Sequence, residues 1–176
     1  MKEFKILSPT AILGYGFPKK SFMEGMKRKP DVIAVDAGST DPGPYYLGSG
    51  KSFTNRDAVK RDLNIIMENS IKNHIPLIIG TAGGSGGEIH LNWCKEIIYE
   101  IAKEKNLQFK LAIIHSQLPK EIIKKALKEN KISPLGPAPP LTEEIIDETT
   151  AIVGQMGVEP FLKALDENVD IILAGR

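Results

Sequence analysis

Glycines and polar side chains concentrate in two stretches of the sequence, residues 36–52 and residues 80–90. The second stretch has four glycines between Gly83 and Gly87, closely followed by Glu88 and His90. A turn needs one or two glycines, so this surplus predicts backbone that approaches a bound ligand. Where such a loop leads from a strand into a helix, its amides favour a phosphate or a carboxylate. A bare tight turn is the alternative interpretation.

The predicted ligand-binding residues are polar, small or cationic and follow predicted strands. They are Ser39, Thr40, Asp41, Thr81, Gly83, Gly84, Ser85, Gly86 and Arg176.

Three ionisable residues are predicted to be catalytic: Asp36, His90 and His115. A carboxylate next to a histidine can act as a general acid and base, or bind a divalent metal. Loop bracing and helix capping are the alternatives for each residue. The histidines show no His-x-His or His-x-x-x-His spacing, so no metal site is predicted, and the sequence leaves any cofactor unknown.

Two nucleotide-binding motifs are nearly matched and are rejected. The segment ending in Lys51 and Ser52 resembles a P-loop but has Tyr45 where that motif requires glycine. Likewise, Gly84-Ser-Gly86 is followed by Ile89 where the dinucleotide fingerprint needs a small residue. The sequence therefore predicts neither ATP nor NAD binding.

The elements that position these residues alternate between strands and helices. Short apolar runs predict strands at residues 4–7, 31–35, 76–79, 109–114, 151–153 and 170–173, with amphipathic helical stretches between them. Runs of consecutive apolar residues indicate strands covered on both faces. The predicted fold is a single α/β domain over residues 1–176: a doubly wound, Rossmann-like, mostly parallel sheet of about six strands with helices on both faces. In such sheets the ligand binds beyond the carboxyl ends of the strands.

Composition excludes several classes of partner. The chain has 23 Lys and Arg against 22 Asp and Glu, so its net charge of +1 gives no strong field for nucleic acid or an anionic membrane. No apolar run approaches the roughly 20 residues that a membrane-spanning helix needs. The single cysteine, Cys94, falls on the apolar face of a predicted helix, and a cytoplasmic location is expected.

Four segments resemble the acyclic terpene utilisation family, formerly a domain of unknown function. They are residues 36–50 (DAGSTDPGPYYLGSG), 80–87 (GTAGGSGG), 154–161 (GQMGVEPF) and 174–176 (AGR). The family takes its name from members linked to the catabolism of branched acyclic terpenes, and the resemblance supplies no established catalytic residue. Its members are longer, so the resemblance implies that this chain is the N-terminal part of a longer architecture.

The expected function is that of an enzyme, or part of one, acting on a small anionic metabolite, either a carboxylate or an acyl thioester. The sequence does not determine the reaction class, and both lyase and acyl-CoA-related chemistry stay open. Two alternatives stay open: a non-catalytic ligand-binding or regulatory module, and a subunit that associates with itself or with a second chain. The glycine-rich loop and several ionisable groups at one rim favour the enzyme.

Overall fold

The computed structural model describes residues 3–38 and 43–176. Within these ranges the chain forms a five-stranded sheet in the order β1-β2-β3-β5-β4, in which every neighbouring pair is parallel. The strands are β1 (Ile6–Leu7), β2 (Val32–Asp36), β3 (Leu77–Gly80), β4 (Leu111–Ile114) and β5 (Ile171–Ala174). The predicted α/β class and parallel sheet are confirmed, with one strand fewer than the six runs indicate.

Helices occupy most of the connections between the strands. They are α1 (Lys19–Lys27), α2 (Gly43–Ser49), α3 (Arg56–Asn73), α4 (Glu88–Lys105), α5 (Lys120–Lys128), α6 (Glu143–Glu148) and α7 (Glu159–Asp166). The longest two, α3 and α4, pack against each other.

One face of the sheet forms the core. Its residues lie side by side on neighbouring strands. Ile33 aligns with Leu77 and Leu77 with Ile171, and all three are fully buried. The apolar stripes of α3 and α4, which include Ile66 and Ile98, pack in the same cluster. Burying one such side chain stabilises the fold by about 1.5–3 kcal/mol, so this face fixes the relative positions of the strand ends.

The predicted strand at residues 151–153 is wrong. This run lies beside the segment that follows β4, where Val153 forms a single antiparallel bridge with Gln117. The amide of Gly154 donates to the carbonyl of Ser116 at 2.8 Å, and the amide of Leu118 to that of Ile152 at 2.8 Å. The run is therefore paired with a loop and is not part of the sheet.

Residues 43–49 form the helix α2, which has Pro44 in its first turn, where proline is well accommodated. In α7, Leu162 and Leu165 are 57% and 37% exposed, so part of the apolar side of this helix faces solvent.

No helix within residues 3–38 and 43–176 combines the length and the apolar character needed to cross a bilayer.

Candidate functional site

A cleft of about 280 Å³ opens at the carboxyl ends of β2, β3 and β5, where ligands bind in open parallel sheets. Its walls come from the three strand ends, the loop before α7 and α7 itself. The lining residues are Asp36, Gly38, Gly80, Thr81, Gln155, Met156, Phe161, Gly175 and Arg176.

Asp36 ends β2 and exposes its side chain at the cleft. Its Oδ1 accepts the amide of Gly38 at 3.1 Å, and its backbone oxygen accepts the amide of Leu13 at 2.8 Å. These bonds fix the residue at the strand end and leave Oδ2 without a partner among the described residues. The carboxylate is thus positioned to accept a hydrogen bond or a proton from a ligand.

Arg176 reaches the same cleft from the end of β5. Its amide donates to Oγ of Ser116 at 2.7 Å, and its carbonyl accepts the amide of Met156 at 3.2 Å. The guanidinium forms no salt bridge within the described part of the chain. The residue is half-buried, and a guanidinium without an ion pair suits the bidentate binding of a carboxylate or phosphate.

Thr81 has a backbone conformation that its side chain disfavours. Its φ is +48°, which is uncommon for any residue with a Cβ and a genuine outlier for a β-branched one. The other described non-glycine residues with positive φ stand within two residues of a helix C-terminus, where this conformation is common. Thr81 instead follows β3 and lines the cleft. Strain of this kind collects at ligand sites, so it supports a functional role for this edge of the sheet.

The glycines of loop 81–87 serve internal packing. A Cβ on Gly83 would lie 2.8 Å from Cβ of His90, and one on Gly84 would lie 2.5 Å from Cβ of Phe53. A Cβ on Gly86 would lie 2.7 Å from the carbonyl carbon of Gly175. Residues 82–87 are buried, and neither these three glycines nor Ser85 lines the cleft.

The amides of this loop also find partners inside the protein. The amide of Gly84 donates to the carbonyl of Thr81 at 3.0 Å, and that of Gly86 to the carbonyl of Ala82 at 3.0 Å. At the start of α4, the amide of Glu88 donates to Oε1 of Gln117 at 2.8 Å. These three amides are therefore not free to bind an anion.

His90 does not reach the cleft. It lies in the first turn of α4, is 2% exposed, and its Nε2 donates to the carbonyls of Lys51 at 2.8 Å and Tyr46 at 3.1 Å. Both partners are acceptors, so Nε2 carries the proton. The ring therefore holds the segment between α2 and α3 against α4.

His115 also lies outside the cleft lining. Its ring is 60% exposed, and Nδ1 lies 2.8 Å from Oε2 of Glu88. This pair joins the end of β4 to the start of α4, and solvent screening keeps its contribution to stability small. The remaining predicted site residues Ser39, Thr40 and Asp41 lie outside the described residues.

A nucleophilic thiol and a bound metal ion are two sources of chemistry that the described residues can be searched for. Burial raises the pKa of the Cys94 thiol to about 12, so this buried residue is not suited to act as a nucleophile. Within the described ranges no group of three or more histidine, cysteine, aspartate or glutamate residues could bind a metal ion.

Three lining residues, Gln155, Met156 and Phe161, are absent from the predicted site residues, although they lie in segment 154–161, one of the four that carry the family resemblance. The proximity of this segment to Arg176 depends on the bond between Met156 and Arg176, which no local pattern reveals.

The family model described as "Acyclic terpene utilisation family protein AtuA" matches residues 51–176. Thr81, Gln155 and Arg176 fall inside the matched region, while Asp36 precedes it. Comparison with curated proteins and with solved structures gives no significant match.

Proposed function

The chain belongs to the acyclic terpene utilisation family, and we propose that its cleft binds and acts on a small carboxylate or the acyl part of an acyl thioester. The observation that carries the proposal is the combination of an anion and a cation, Asp36 and Arg176, with an apolar wall in one cleft. Neither charged side chain forms an ion pair with another described residue, so both are available to a ligand.

Each lining group has a separate task in this proposal. Arg176 binds the carboxylate, or the carbonyl oxygen of a thioester, through its guanidinium. Asp36 accepts a hydrogen bond or a proton from the carbon skeleton or its substituents. Met156 and Phe161 are half-buried and pack against the apolar carbons, which suits the branched hydrocarbon chains that the family name suggests.

The size of the cleft limits the ligand. A volume of about 280 Å³ lies just below the roughly 300–1,000 Å³ typical of small-molecule sites. A short acyl chain fits, whereas the nucleotide part of an acyl-CoA would lie outside the cleft.

Thermal shift and calorimetric titration with butyrate, isovalerate and butyryl-CoA test the binding. We expect at least one of these compounds to raise Tm, because a ligand that binds only the folded state stabilises it. Arg176→Gln should weaken binding at least tenfold. Arg28→Gln removes an arginine at the opposite edge of the sheet, next to the end of α1, and should change nothing.

Turnover separates an enzyme from a binding module. Mass spectrometry of butyryl-CoA incubated with the protein should reveal a product, which Asp36→Asn abolishes while binding persists. Absence of binding to all three compounds, or binding unaffected by Arg176→Gln, would contradict the proposal. Binding without any product would contradict its catalytic part.

A further inference from the structure

Three glycines line the cleft, and packing accounts for two of them. A Cβ on Gly38 would lie 2.7 Å from Cβ of Thr81, and one on Gly175 would lie 2.8 Å from Cβ of Ser116. Real Cβ atoms do not approach their neighbours this closely, so both positions must be glycine whatever the cleft binds.

Gly80 is different. It is the last residue of β3, its φ is outside the left-handed region, and any residue could adopt its conformation. Among the described residues, a Cβ there would have one neighbour within 4 Å, Oδ1 of Asp36 at 3.9 Å. Glycine weakens a strand, because it loses more conformational freedom on folding and has no side chain to pack. Within residues 3–38 and 43–176, neither the backbone nor the packing explains this glycine.

The position that a side chain would occupy is part of the cleft beside the Asp36 carboxylate. A ligand carbon in that position would lie about 3.9 Å from Oδ1 of Asp36. This is close to the separation expected when a hydroxyl or ammonium group on that carbon donates a hydrogen bond to Oδ1. A carboxylate accepts and never donates, so it selects a donor at this point. Hydrogen bonds to a charged group are the strong class, which makes such selection effective.

Resting on the function proposed above, we propose that Gly80 determines specificity by leaving room for a substituted ligand carbon against Asp36. The ligand class is then a carboxylate or acyl group with a hydrogen-bond donor, hydroxyl or ammonium, on its chain. Arg176 binds the carboxylate end of the same molecule, and the donor group contacts Asp36.

The test compares butyrate, 3-hydroxybutyrate and 3-aminobutyrate by calorimetric titration, with urea unfolding of each protein in parallel. The wild-type protein should bind one of the two donor-bearing acids about 10- to 100-fold more tightly than butyrate, the gain expected from a hydrogen bond to a charged group. Whichever of the two binds better identifies the donor.

Gly80→Ala should leave the urea midpoint unchanged or raise it, since alanine is compatible with this backbone. Its affinity for the preferred acid should fall at least tenfold. Gly48→Ala is the matched control: Gly48 lies in α2, has no positive φ, and a Cβ there would be 3.6 Å from Oγ1 of Thr150. This variant should bind like the wild-type protein.

The outcomes that overturn the inference are distinct from those that overturn the proposed function. Equal binding by Gly80→Ala and wild type, a lowered urea midpoint for Gly80→Ala, or no preference over butyrate each overturns the inference alone. Failure of the wild-type protein to bind these acids and butyryl-CoA overturns both.

Discussion

Oδ2 of Asp62 accepts the backbone amide of Gly14 at 2.9 Å, across 48 residues of sequence. The same oxygen accepts the amide of Gly16 at 3.0 Å, and the Asp62 side chain is 1% exposed. The residue before Gly14, Leu13, donates to the backbone oxygen of Asp36. Helix α3 therefore holds the loop after β1, and that loop braces the strand end that carries the cleft carboxylate.

Asp62→Ala should lower the free energy of unfolding by about 2–3 kcal/mol, because it removes charge-assisted bonds to two backbone amides. Arg61 contacts the other oxygen of Asp62, but its side chain is 56% exposed. Arg61→Ala should therefore cost less than about 1 kcal/mol. Urea unfolding measures both variants. A larger loss for Arg61→Ala would mean that the ion pair, and not the loop amides, is the stabilising contact.

Gly86→Ala and Gly136→Ala separate backbone strain from crowding. The two residues have φ values of +72° and +74°, but a Cβ on Gly136 would have no atom of the described residues within 4 Å. Gly136→Ala should cost about 1 kcal/mol for the left-handed backbone alone. Gly86→Ala should cost about 3 kcal/mol or more, since its Cβ would also collide with the backbone of Gly175 and Arg176. Similar losses in chemical denaturation would show that the loop yields to the added carbon.

The two histidines predicted as catalytic should behave differently when replaced. His90→Ala should destabilise the protein by about 2–3 kcal/mol, because it leaves a cavity and removes the donor to two carbonyls. His115→Ala should cost less than about 1 kcal/mol, as expected for an exposed pair. Neither ring lines the cleft, so His115→Ala should bind the acid that the wild-type protein prefers in the calorimetric titrations with the wild-type affinity. A selective loss of affinity in His115→Ala would instead extend the site to β4.

Cys94 should resist thiol reagents until the protein unfolds. At pH 8 its labelling should be at least about a thousandfold slower than in urea, because only the unfolded fraction reacts. Its pKa is raised from 9.0 to about 12 by burial, so its contribution to stability is full below pH 9 and is lost as the pH rises towards about 12. Cys94→Ala should therefore lose less stability than wild type between pH 8 and 10. Rapid labelling of the native protein would contradict the buried assignment.

Runs of consecutive apolar residues locate the strands, although only β5 is buried on every residue, while in β2 and β3 buried residues alternate with less buried ones. The strands β2, β3 and β5 are each displaced by one residue from the predicted runs, and the predicted stripe of α4, including Cys94 and Ile101, is fully buried. Residues 151–153 are apolar too, but their partner is the loop after β4. A short apolar run has the same pattern whether it pairs with a strand of the sheet or with a loop, so the sequence of the run does not reveal its partner.

The site was only partly predictable. Position after a strand correctly indicated that Asp36, Thr81 and Arg176 would lie at one edge of the sheet, where they share a cleft. The composition of loop 81–87 led to the prediction of an anion-binding site. Glycines that allow close packing inside a protein have the same composition as glycines that contact a ligand. Gly83 accommodates His90 and Gly84 accommodates Phe53, and these tertiary contacts cannot be seen in the sequence.

The strand order has a consequence for how the chain acquires its structure. β5 is inserted between β3 and β4, which precede it in sequence and do not pair with each other. Until residues 171–174 leave the ribosome, both strands therefore have an unsatisfied edge at what becomes the middle of the sheet. Contacts between residues so distant in sequence also close large loops, which slows folding. A nascent chain at this stage is the form most exposed to aggregation and most dependent on chaperones.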